Sequence, residues 1–208
     1  MSDTNADTPE PQTAEPRLAP PGAGVPAWQR WMMKPVVPLL PVVLPPARAA
    51  RVARATKDAM VTRVRGMGPD ATRRTLIAPM TMLEDSSRYW SGAMVLEHVA
   101  LVADAGAELV RAMLDDEPAP FEASTSEVKP AGGMTVDESV AFLEEADRRW
   151  SGIASRVARL TRDERARAGG APHPWFGVLD ASRWIAFEAL HRRVHAEQLA
   201  RVARARAR

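Results

Sequence analysis

Four segments of this chain repeat apolar side chains at intervals of three, four and seven residues, the spacing that gathers them on one face of an α-helix. From Ala47 the first runs through Val52, Thr56, Met60 and Val64 to the breaks at Gly66 and Gly68. In the second, Ser91 has the character of an N-cap, and Val95, His98, Val102, Leu109 and Met113 form a stripe that ends near Asp115. Thr135 and Glu138 make a capping box for the third, whose stripe is Val136, Val140, Leu143, Trp150, Val157 and Leu160. Asp180 caps the fourth, with Trp184, Phe187, His191, Val194, His195 and Val202 facing inward. The expected fold is therefore all-α, a four-helix bundle over residues 47–208. Composition agrees, since Phe 4 and Tyr 1 are few for a β protein. At 208 residues one domain with appendages is the natural size.

The connections refine this picture. Residues 69–89 are expected to be irregular with a helical turn, interrupted by Pro79. Glu117–Met134 is longer than two adjacent antiparallel helices need, which predicts a crossover between parallel helices. Residues 1–27 are rich in Pro, Ala, Thr and acid, carry no basic start followed by an apolar run, and are expected to be disordered rather than a signal peptide. Residues 28–46 (WQRWMMKPVVPLLPVVLPP) are the most apolar stretch. Arg30, Lys34 and five prolines argue against a membrane-spanning helix, so an extended arm packed on the domain is expected, with peripheral membrane contact as the alternative. Without a leader or a span, a cytoplasmic protein is expected.

Positive charge is nearly all arginine, and the Arg and Ala richness fits a GC-rich bacterial genome. Basic residues cluster in Arg48–Arg74 and in the tail containing Arg192, Arg193, Arg201, Arg204, Arg206 and Arg208. No nucleic-acid motif accompanies them, so they read as solvated helix faces, with no specific nucleic-acid partner. With Cys 0, disulfides and thiolate ligands are excluded, and any metal must be held by His, Asp or Glu.

His191 and His195 are one helical turn apart, separated by a rise of about 6 Å, close enough for two imidazoles to grip one ion. A third ligand must come from a facing helix, and His98 is the residue available. A three-histidine site keeps an open position for a small-molecule substrate, and imidazole favours zinc or nickel over magnesium. Glu188 and Gln198 share the face of the histidine pair and are the candidates for an acid/base or ligand-orienting role. Glu97 lies roughly 100° round the helix from His98 and is expected to be solvated. His173, in HPWFG, belongs to a turn in which Trp175 and Phe176 plug one end of the bundle and Gly177 permits the bend.

Arg88–Val102 (RYWSGAMVLEHVALV) and His173–Leu199 (HPWFGVLDASRWIAFEALHRRVHAEQL) together resemble the DinB-like superfamily. The likeness rests on Trp90-Ser91 opening a helix that carries His98, and on HPWFG before a helix with His191, His195 and Gln198. It runs from about Arg48 to Val202 and leaves the first 46 residues unmatched. The resemblance implies an up-down-down-up four-helix bundle with a divalent metal on His98, His191 and His195. It also implies transfer of a low-molecular-weight thiol such as bacillithiol or mycothiol, or thiol-dependent isomerisation, and no DNA binding. A metal-dependent hydrolase and a non-catalytic metal- or ligand-binding bundle remain alternatives, and a homodimer is left open.

Overall fold

The computed structural model describes residues 15–206. Helix accounts for 64% of the described residues and strand for 6%, so the protein is mainly helical, with no closed sheet among those residues. The expected disorder of residues 1–14 lies outside the described residues. Residues 15–26 carry no helix or strand, but they touch the domain: the Ala19 N–H donates to the Asp85 carboxylate at 2.8 Å, and Val25 is buried.

The apolar arm is not extended. It forms helix α1 (Ala27–Met33), a 3-10 turn at Val37–Leu39 and a one-turn helix α2 (Leu40–Val43). Its prolines explain the difference. Pro38 and Pro41 occupy first-turn positions, where the missing N–H has no intrahelical partner to lose. Each proline thus starts a short helical segment instead of breaking a long one.

The four expected helices form at the expected places: α3 (Pro46–Gly66), α4 (Gly92–Leu114), α5 (Val136–Arg159) and, after a short α6 (Arg162–Arg167), α7 (Ala181–Arg206). Ser91 Oγ accepts from the Met94 N–H, Thr135 and Glu138 close a reciprocal capping box, and the Asp180 carboxylate accepts from the Arg183 N–H at 2.8 Å. A second capping box, Thr161 with Glu164, starts α6, which the apolar spacing could not reveal because none of its residues is buried.

Around the core, α4 packs on α5 and α7, and α3 packs on α7 and α5. Helices α4 and α5 run in the same direction: Asp104 pairs with Arg149 near their middles and Asp115 with Arg156 near their ends. Gly106 makes this approach possible. A Cβ there would stand 3.1 Å from the Trp150 ring, so the helix tolerates a glycine that costs it about 1 kcal/mol relative to alanine.

The inner face of α3 differs from the expected stripe. Val52 and Thr56 are half-buried, while Ala49, Ala53, Met60, Val61 and Val64 are buried. Alanines set the contact, which lets α7 come close. Helix α7 itself is buried on more than one side, and its Arg192, expected on a solvated face, is wholly enclosed. Two antiparallel hairpins complete the fold: β1 (Thr75–Leu76) pairs with β2 (Tyr89–Trp90), and β3 (Gly170–His173) pairs with β4 (Gly177–Asp180). The first falls within the connection expected to be irregular, where two-residue strands leave no periodic signal.

Candidate metal centre

His98 comes from α4 and His191 and His195 from α7, and the three rings converge: centroids lie 4.5 Å apart for His98 and His195, 4.4 Å for His191 and His195, and 5.2 Å for His98 and His191. One ligand nitrogen from each lies within 4.8 Å of the others, an arrangement that could hold a metal ion. The Nε2 atoms of His98 and His191 are 3.2 Å apart. Two imidazole nitrogens on one tetrahedral zinc stand about 3.3 Å apart, so this pair fits with almost no adjustment.

Two of the rings are held from behind by hydrogen bonds. His98 Nδ1 lies 2.7 Å from the Val128 carbonyl, to which it donates, leaving Nε2 bare. His195 Nδ1 donates to Gln198 Oε1 at 2.6 Å, and Gln198 Nε2 donates to the Ser87 carbonyl at 2.7 Å. Glu188 Oε2 stands 3.4 Å from His191 Nδ1, an ion-pair distance whose geometry stops short of a hydrogen bond. The two acid/base candidates therefore sit behind the histidines, and neither lines the adjoining cavity. Burial lowers the pKa of His98 and of His195 well below 6.5, and the charge of His191 adds to the shift. Both are neutral imidazoles at pH 7, the form that ligates metals.

The cluster opens on a cavity of about 750 Å³, walled mainly by apolar side chains including Leu101, Val102, Leu109, Trp184 and Phe187. His173 lines the same cavity without joining the cluster. Its Nδ1 accepts the Trp175 N–H at 3.1 Å and so organises the HPWFG turn, where Gly177 has φ 72°. Its ring packs against Phe176, Trp184 and Phe187.

Burial, with a contribution from His191, lowers the His173 pKa from 6.5 to about 3. Between those values the unfolded chain binds a proton that the folded chain does not, so stability is full above the unfolded value and falls as pH falls, by up to about 1.4 kcal/mol per pH unit. Urea unfolding of metal-free protein at several pH values should show this loss below pH 6.5. His173→Phe should remove one proton's share of the slope, and an unchanged slope would refute the assignment.

Sequence spacing missed three supports of the site. Glu97, expected in solvent, is buried, and its carboxylate accepts from the N–H groups of Ala131 at 2.8 Å and Gly132 at 3.1 Å. It draws the long connection back along α4, which places the Val128 carbonyl behind His98. Lys129 follows in the same connection, bonded to Glu84 at 2.7 Å, Ser86 at 2.8 Å and Ser87 at 2.9 Å, with its ammonium 5.1 Å from the Trp90 ring centre. Burial opposes ionisation of Glu84, yet Lys129, together with hydrogen bonds from Thr125 and the Gly22 backbone, outweighs it and the Glu84 pKa is lowered. Trp90 in turn stacks on His195 at 13°. The third support is the buried Arg192, paired with Glu188 at 2.7 Å and with Asp147 of α5. All three depend on partners far away in sequence. Comparison with protein-family models, curated proteins and solved structures returns no match, so the reading of this centre rests on its own geometry and chemistry.

Proposed function

We propose that this chain is a metal-dependent enzyme with a DinB-like four-helix bundle, its helices in up-down-down-up order, that transfers a low-molecular-weight thiol to an electrophile. In this reading His98, His191 and His195 hold one divalent ion, with zinc or nickel favoured over magnesium. The observation that carries the proposal is the convergence of three imidazoles on one wall of a mainly apolar cavity, two of them oriented by hydrogen bonds at Nδ1. The sequence resemblance and the shared direction of α4 and α5 support the fold assignment.

When bound, the ion supplies Lewis acidity that makes a thiol presented to it more acidic. The chain's own residues then position the reactants. Trp184, Phe187, Leu101 and Leu109 exclude water and favour an apolar electrophile. Arg193 lines the cavity with no ion-pair partner among the described residues, and its guanidinium suits a carboxylate of the thiol. A sulfur–carbon bond forms as the bond to the leaving group breaks, and the thiol proton passes to solvent. Gln198 orients His195 and Glu188 stands 3.4 Å from His191; both lie outside the cavity wall, so neither serves as a base for a nucleophile bound there.

The decisive assay offers zinc- and nickel-loaded protein several low-molecular-weight thiols with alkyl halide or epoxide electrophiles, beside ester and amide substrates. Metal-dependent conjugation is expected. Hydrolysis without thiol would replace this reading by a hydrolase, and metal binding without any turnover would replace it by a binding protein. A companion measurement addresses orientation: Gln198→Leu should weaken zinc affinity about 10- to 100-fold in a chelator competition, without abolishing it. Unchanged affinity would show that the amide does not orient His195.

A further inference from the structure

In water a short surface helix turns its polar side chains outward and its apolar ones inward, and α1, Arg30 apart, does the opposite. Its Gln29 is buried, with Oε1 accepting the Met82 N–H at 2.6 Å, while Trp28, Trp31 and Met32, spaced i, i+3, i+4 on one face, are exposed. The next turn repeats the pattern: Val37 and Leu40 are buried, and Leu39, Val42 and Val43 are exposed with the same spacing. Trp31 is 73% exposed and Val42 77%, so these are outward-standing side chains rather than the rim of a core. Residues 28–43 supply seven of the ten large apolar side chains that stand exposed among the described residues.

The charge around this face has one sign. Between Glu15 and Asp58 the chain has no acidic residue, while Arg17, Arg30, Lys34, Arg48, Arg51 and Arg54 are exposed. None of these six forms an ion pair among the described residues. Outward tryptophans, apolar side chains and unpaired cations on proline-interrupted helices are the combination that settles at the headgroup level of an anionic membrane. The segment lies on such a surface rather than crossing it. Among the described residues no single helix is long and apolar enough to cross a membrane, and the one pair there that is so together, Ala27–Val43 with Pro46–Gly66, is bent by 102°.

We infer that the outward face of α1 and α2 docks the protein on an anionic phospholipid bilayer. Two other occupants fit less well. A symmetric dimer through this face would bring Arg30 and Lys34 against their own copies with no acid to meet them. Residues 1–14 contain acids but no Leu, Ile, Val, Phe or Trp with which to match the apolar face. Docking would also have a spatial consequence, because Met33 on the inner side of α1 lines the cavity beside the histidines. The bilayer would then lie about one helix diameter, ~10 Å, from the cavity wall.

The test is cosedimentation of the full-length chain with vesicles of phosphatidylcholine alone and of phosphatidylcholine mixed with phosphatidylglycerol. Binding to the mixed vesicles is expected, weakening as salt is raised. R30E with K34E should weaken it about twentyfold or more, since each cation near an anionic surface contributes about a fivefold preference. Trp31→Ser with Val42→Ser should also weaken it at least about tenfold. All four side chains are exposed, so circular dichroism and metal content of the variants should match the parent. Absence of binding to either vesicle would overturn the proposal, as would equal binding to both. Concentration-dependent dimers that resist vesicles and are lost with Trp31→Ser would assign the face to a second copy.

Discussion

Stripped with a chelator and reloaded, the protein should bind about one divalent ion per chain, and His191→Ala or His195→Ala should abolish high-affinity binding. His98→Ala should weaken it by more than about 100-fold, the upper end of what losing a ligand's supporting partner costs. The ranking follows from connectivity. His191 and His195 sit on one helix and chelate as a unit, whereas His98 completes the set from α4. Zinc and nickel should compete with one another, and magnesium with neither. Elemental analysis with isothermal titration checks all of this, and unchanged stoichiometry in the three variants would dismiss the site. Circular dichroism separates loss of ligation from loss of fold.

Arg192→Met should destabilise the protein by about 3–5 kcal/mol, a large fraction of a domain's total stability. The guanidinium has no exposure and sits between Glu188 on its own helix and Asp147 on α5. Both carboxylates are buried, so removing the arginine strips each of its nearest cation, leaving Glu188 facing only His191 at 3.4 Å and Asp147 only Lys57 at 3.9 Å. Its effect should extend to the metal, because Glu188 also faces His191. Adding Glu188→Gln and Asp147→Asn should recover part of the loss by removing the stranded charges. Denaturant titrations of the single and triple variants decide the matter: a cost below about 1 kcal/mol for Arg192→Met would mean that water reaches the cluster.

What the sequence by itself determined was local and periodic. Apolar spacing located α3, α4, α5 and α7, and Ser91, Thr135 and Asp180 marked starts that the observed caps match, because a cap needs only partners two or three residues away. His191 and His195 were legible as a pair because a helical turn fixes their relation. His98 was legible as a third member only because so few histidines lie on inward faces. Tertiary structure decided what those faces meet. Glu97 became buried because the Glu117–Met134 connection returns along α4 and offers two N–H groups to its carboxylate. Arg192, one position from His191 and indistinguishable in sequence from the solvated Arg193, became a core residue because α5 places Asp147 opposite it. The arm ran contrary to its composition, turning Gln29 in and two tryptophans out, since Met82, from a loop more than fifty residues on, supplies the N–H that Gln29 accepts. A side chain's partners across the fold, and hence whether it is a charge in water or a charge in the core, are set by long-range packing that no helical period encodes.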